Sequence, residues 1–81
     1  ISENLQYPPI ARDNGVEGTV IIRFIIEKDG SLTNVRIIRN IGASCGQEAV
    51  RLINSMPKWE PGKLGGNPVR VEYNLPVKFE I

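Results

Sequence analysis

From residue 69 to the C terminus the chain alternates without exception. Val69, Val71, Tyr73, Leu75, Val77, Phe79 and Ile81 are apolar, and Arg70, Glu72, Asn74, Pro76, Lys78 and Glu80 between them are polar or proline. Successive strand side chains project to opposite faces, so this pattern predicts one long strand with a buried face and a wet face. Pro76 has no N–H to give to a ladder, and prolines inside sheets are confined to edges, strand starts and bulges. The strand therefore belongs at a sheet edge. Residues 18–27 read as another strand, with Val20, Ile22, Phe24 and Ile26 on one face and Thr19, Ile21, Arg23 and Ile25 on the other. Apolar groups on both faces point to a central position. Lys28-Asp29-Gly30-Ser31 reads as a tight hairpin in which Asp-Gly supplies the positive φ angles. It leads into a strand over residues 32–40, with Val35 and Ile37 on one face and Arg36 and Ile38 on the other.

Helical patterns flank these strands. After a polar lead-in from Ser2 to Gln6, residues 7–15 (Tyr-Pro-Pro-Ile-Ala-Arg-Asp-Asn-Gly) predict a short helix. Proline is tolerated in the first turn, Gly15 is placed as the left-handed stop, and Tyr7, Ile10 and Ala11 are expected to face the sheet. Gly42-Ala43 breaks the second strand. Ser44-Cys45-Gly46-Gln47 then matches a capping box in which the Ser44 hydroxyl accepts from the Gln47 N–H. The helix it starts is expected over residues 45–56, with Cys45, Ala49, Leu52, Ile53 and Met56 on one stripe, and Pro57 ends it. Residues 59–62 and 65–68 read as a turn-rich connection. The order α-β-β-α-β, with every strand antiparallel to its neighbour, requires the sheet order 2-1-3. The predicted fold is α+β: two helices on one face of a three-stranded antiparallel sheet, the C-terminal strand at its edge.

Composition narrows the function. The chain has 81 residues, enough for a single domain. Ten Lys and Arg against nine Asp and Glu leave a net charge of +1, which offers no basic footprint for nucleic acid. One Trp, two Tyr and two Phe make no base-stacking platform. With no His and one Cys, Ser-His-Asp and Cys-His catalysis and a His-rich metal site are excluded, and no cofactor is expected. Cys45 is expected buried under its helix, an intermolecular disulfide being the alternative. Trp59 is expected as a lid over the helix end. The carboxylates Asp29, Glu48, Glu60 and Glu72 show no catalytic pairing. Gly65-Gly66 reads as a turn, since no Lys-Ser/Thr pair follows it as in a phosphate loop. An acylphosphatase-like hydrolase would need an Arg in the loop at residues 15–19, and none is there. No membrane span or signal peptide is visible, and the first residue, Ile1, suggests a domain cut from a longer protein.

Several separated pieces resemble one family. Gln6-Tyr7-Pro8, then Arg12, Val16-Glu17-Gly18, an alternating strand, Asp29-Gly30, a helix, Trp59-Glu60-Pro61-Gly62 and a closing alternating strand are similar, in that order, to the C-terminal domain of TonB-type energy transducers. The segment at residues 56–62 is most similar to versions common in Bacteroidetes. Pro9, Cys45 and Trp59 depart from the better-known proteobacterial pattern. The resemblance implies a non-enzymatic periplasmic domain of an inner-membrane-anchored protein. It implies binding of the TonB box, a short extended segment of an outer-membrane receptor, by strand addition, with force supplied by a motor of the ExbB–ExbD kind. Carried over by position, the partner-binding residues are Val69, Arg70, Val71, Glu72, Tyr73, Asn74, Leu75 and Val77 on the edge strand, with Gln6, Tyr7 and Pro8 near the receptor. If the missing N–H of Pro76 faces outward, the paired segment runs mainly over one side of it. A second setting keeps the same fold as an interaction module of a membrane-bound sensor or peptidase. Ile21, Ile25 and Ile38, on the face without helices, make a homodimer a further expectation.

Overall fold

The structure, a computed structural model, describes residues 5–81; residues 2–4 of the polar lead-in lie outside them. Its elements run α1 (Pro9–Asp13), β1 (Gly18–Ile26), β2 (Leu32–Arg39), α2 (Cys45–Asn54), β3 (Gly62–Leu64), β4 (Asn67–Val69) and β5 (Val71–Phe79). The main sheet is antiparallel in the order β2-β1-β5, the expected 2-1-3 arrangement, with β1 central and β5 at an edge. Val20, Ile22, Phe24 and Ile26 of β1 are buried with Leu75, Val77 and Phe79 of β5. Ala11 of α1 and Cys45, Ala49 and Ile53 of α2 join the same cluster, so both helices cover one face. Burial of one face while the other stays wet is what the period-two alternation demands.

Several boundaries differ from expectation, each for a local reason. The final ribbon is two strands, not one. β1 ends at Ile26 opposite Val71, so the residues before Val71 have no main-sheet partner left. They pair instead with β3, through a Gly65-Gly66 turn with φ of 58° and 83°, the double positive φ of a type I′ hairpin. At the other end Gly18 pairs with Phe79; Ile81 lies past the last pair and is 67% exposed. The capping box does not form. Ser44 takes a left-handed φ of 67° and makes no side-chain cap bond, whereas an accepting N-cap side chain needs an extended backbone. The Glu48 N–H goes to the Ser44 carbonyl instead. Helix α2 ends at Asn54, where Ser55 turns its hydroxyl back to the Leu52 carbonyl. Helix α1 is too short to bury two turns: Ala11 faces the core and Ile10 is 57% exposed. In the β1–β2 turn only Gly30 has positive φ; Gly30 N–H donates to Glu27 O and Glu27 N–H to Ser31 O, a type I turn closed by a glycine bulge.

Candidate functional site

β5 follows β1 through nine consecutive pairs, Gly18 opposite Phe79 to Ile26 opposite Val71, with no register break. Pro76 sits in that ladder opposite Ile21. Antiparallel pairs alternate between hydrogen-bonded and non-hydrogen-bonded, and a proline fits the ladder only at a non-bonded pair, its nitrogen turned away from the partner strand. The odd residues of β5 therefore bond to β1. The main-chain groups of Glu72, Asn74, Pro76 and Lys78 point to the opposite edge, where no strand pairs among the described residues. Glu72, Asn74 and Lys78 present N–H and C=O there; Pro76 presents only C=O.

The side chains divide by face. Leu75, Val77 and Phe79 are buried, whereas Tyr73 is 43% exposed and Val71 intermediate. The Tyr73 ring tilts against Phe24 at 5.8 Å and Trp59 at 6.3 Å, and Trp59 meets Phe24 at 5.2 Å. Trp59 is thus more than a lid on the helix: its backbone N–H donates to Gly30 O at 2.9 Å, which latches the residue over the hairpin and beside the edge strand. A side chain at Gly30 would meet the Trp59 carbonyl at 2.3 Å, so the turn glycine is also needed for this approach. On the helix-free face Arg23 Nε donates to Asn74 Oδ1 at 2.9 Å, and the Glu72 carboxylate lies 3.6 Å from Arg36 and 4.0 Å from Arg23. Arg70 lies between β4 and β5 and donates to Glu27 at 2.8 Å. Hydrogen bonds from Thr33, then from Arg70, hold the Glu27 carboxyl below its ordinary pKa. Val69 belongs to the small hairpin opposite Gly62.

Of Gln6, Tyr7 and Pro8, Tyr7 meets the other end of β5. The Tyr7 ring stands edge-on to Phe79 at 5.6 Å, and its hydroxyl donates to the Val16 carbonyl. Burial foremost raises the Tyr7 pKa. Gln6 N–H donates to Glu48 Oε2 at 2.7 Å, and Arg51 Nε donates to Glu48 Oε1 at 2.7 Å; the Arg51 bond is the main cause holding Glu48 below its ordinary pKa. With Pro8, Pro9, Ser44 and Gln47 these residues line a groove of about 400 Å³. Phe79, which Tyr7 meets, and Tyr73 are separated by roughly 20 Å of strand at ~3.4 Å per residue, so Tyr7 stands at the far end of β5 from Tyr73. Sequence reasoning missed the Tyr73–Trp59–Phe24 cluster and the Arg23–Glu72–Arg36 network. The first depends on contacts between segments far apart in the chain and the second on cross-strand register, so no local pattern marks either. Cys45 is buried and its thiol pKa raised by that burial. Among the described residues no three His, Cys, Asp or Glu cluster as for a metal, and no helix is long and apolar enough to cross a membrane.

Comparison with known proteins gives a consistent answer. The family described as Gram-negative bacterial TonB protein C-terminal matches residues 3–81. Protein TonB of Vibrio cholerae is 30% identical over 77 residues, which cover 94% of this chain and 31% of that protein. Protein TonB of Helicobacter pylori is 38% identical over 40 residues, covering 49% of this chain and 14% of that one. The chain thus spans a third or less of these relatives. A solution structure of the Helicobacter pylori TonB C-terminal domain superposes with a TM-score of 0.72 at 26% identity, covering 99% of this chain and 72% of that one. A shorter version gives 0.70 at 27%, covering 98% and 83%.

Proposed function

The chain belongs to the TonB C-terminal domain family, a family of protein-interaction domains and not of enzymes, and on that premise we propose that it is the receptor-binding domain of a TonB-like energy transducer. In this reading it is a single domain at the periplasmic end of an inner-membrane-anchored protein, whose upstream part meets an ExbB–ExbD-type motor. It grips the TonB box of an outer-membrane receptor by strand addition and transmits a pull for nutrient import. Val69, Arg70, Val71, Glu72, Tyr73, Asn74, Leu75 and Val77 form the gripping ribbon, and Gln6, Tyr7 and Pro8 a second contact at its far end.

The single observation carrying this reading is the open edge of β5, an unbroken ladder on one side and, among the described residues, no pairing strand on the other. Such an edge takes its affinity from main-chain hydrogen bonds and its selectivity from alternate side chains. Each bond contributes about 0.5–1.5 kcal/mol net, so the grip is modest and reversible at rest. A pull along the strand loads those bonds together, so a complex weak at equilibrium still transmits force. The relatives matched are TonB proteins, which favours this setting over that of a sensor or peptidase module.

The test is titration of the ¹⁵N-labelled domain with a ten-residue peptide copied from the N-terminal plug segment of a TonB-dependent receptor. Amide shifts concentrated at Glu72, Tyr73 and Asn74 are expected. Shifts confined away from the β4–β5 ribbon and from Gln6–Pro8 would refute the proposal.

A further inference from the structure

Pro76 splits the open edge into unequal halves. Toward the N terminus of β5, Glu72 and Asn74 present complete donor and acceptor pairs. Beyond Pro76 only Lys78 does, one residue before the strand ends at Phe79. The neighbouring side chains divide the same way. Beyond Pro76, Val77 and Phe79 are 1% and 0% exposed, already covered by the protein's own core, and the Lys78 side chain is tied to Glu80 at 2.8 Å. In the other half the Tyr73 ring, 43% exposed, stands on a rigid base of Trp59 and Phe24. On the opposite face Glu72 and Asn74 are held in place by Arg23 and Arg36.

We infer that Pro76 is a register stop: an added strand is seated over Glu72–Asn74, not over Pro76–Lys78, and Tyr73 is the side chain that selects it. The inference rests on the strand-addition reading above and goes further by naming the half of the edge that is used. Side chains of an added strand alternate as those of β5 do. Its fitting occupant is an alternating segment: an apolar residue lies against the Tyr73 ring on the helix-covered face, with polar residues beside Glu72 and Asn74 on the other. Aromatic anchors backed by rigid neighbours are the usual carriers of such selectivity. A proline at the stop also leaves the C-terminal half of the edge a poor template for a second copy of the chain.

Proline scanning tests this, because the fold already tolerates proline at this parity: at 72, 74 or 78, as at 76, the nitrogen points outward and no bond to β1 is lost. The probe is the receptor plug-segment peptide with a nitroxide at one end. Asn74→Pro is expected to weaken its binding at least about tenfold, the equivalent of ~1.4 kcal/mol. Tyr73→Ala is expected to weaken it by a similar factor, and Lys78→Pro by less than about twofold. Pro76→Val, which restores a donor, is expected to extend amide protection to residue 78 and to tighten binding. In the unmodified protein, peptide-induced amide protection and nitroxide broadening are expected to centre on Glu72 and Asn74. Protection centred on Lys78, or equal losses from Lys78→Pro and Asn74→Pro, overturns the register stop while strand addition stands. A saturating peptide that leaves the Glu72, Asn74 and Lys78 amides all unchanged overturns both.

Discussion

At one edge of the sheet, β2 follows β1 through two register shifts, between Ile21 and Ile22 and between Arg23 and Ile25, and Asn34 there adopts a left-handed φ of 56°. At the other, β5 follows β1 with no shift at all. The two edges also differ in anchorage. No residue of β2 is fully buried, whereas Leu75, Val77 and Phe79 root β5 in the core. Bulges bend and twist a strand and leave residues out of the ladder, one of the ways proteins blunt an edge against unwanted pairing. Arg36 and Arg39 add charge along the same strand. The contrast teaches that an edge is made available by what lies behind it as much as by what it lacks in front. Straightness comes from the unbroken ladder, and resistance to being peeled away comes from alternate buried side chains.

The largest expected effect tests the anchorage. Phe79→Ala, at a fully buried site, is expected to cost about 3–5 kcal/mol. Val35→Ala, at a half-buried site on β2, is expected to cost about 1 kcal/mol. Urea unfolding measures both, and equal losses would end the comparison. Next, Asn34→Val places a β-branched residue in a left-handed bulge and is expected to cost ~1–3 kcal/mol. Its affinity for the plug-segment peptide should nevertheless match the unmodified domain's, because the change lies on the opposite, bulged edge; a parallel loss of binding would implicate β2.

Acid should loosen the links that tie both edges to β1. Hydrogen bonds from Thr33 on β2 and from Arg70 beside β5 hold Glu27 below its ordinary pKa; Asp29, bonded to Ser31, and Glu48, bonded to Arg51, are lowered likewise. A carboxylate whose pKa is lower folded than unfolded stabilises the fold above the unfolded value, and that contribution is lost as pH falls through the folded one. The melting temperature is therefore expected to fall as pH drops below about 4.5 and on through the range beneath it, and Glu27→Gln should flatten the decline. The smallest effect belongs to the bridge that spans the sheet from Arg36 to Glu72, whose side chains are 48% and 56% exposed. Glu72→Gln is expected to cost less than about 1 kcal/mol, and the difference should shrink in high salt. A larger, salt-insensitive loss would mean that the network fixes the open edge more firmly than an exposed pair can.

Much of this was legible in the residues. The two-sided apolar run of β1 marks a central strand because flanking strands on both sides keep Ile21 and Ile25 half-buried even on the helix-free face. Pro76 marks an edge because a central strand would waste its missing donor. The break at Arg70 was not legible, since the apolar alternation continues through it. Only the length of β1, which ends opposite Val71, releases the earlier residues to pair with β3. The failed capping box was hidden too: Ser44 and Gln47 have the right spacing, but Gly42, Ala43 and Ser44 all turn left-handed, and the motif presumes an extended entry. Nor did spacing reveal that Trp59, 14 residues before Tyr73 in the chain, lands beside it.

Taken alone, the order of residues decides which faces of this protein are dry and which strand can afford to lose a neighbour, because both follow from side-chain period and from proline chemistry within a single strand. Where that edge begins, which half of it is free and what stands beside it are decided only in the folded molecule. They depend on where a partner strand stops and on contacts between segments far apart in the chain, and no local pattern records either.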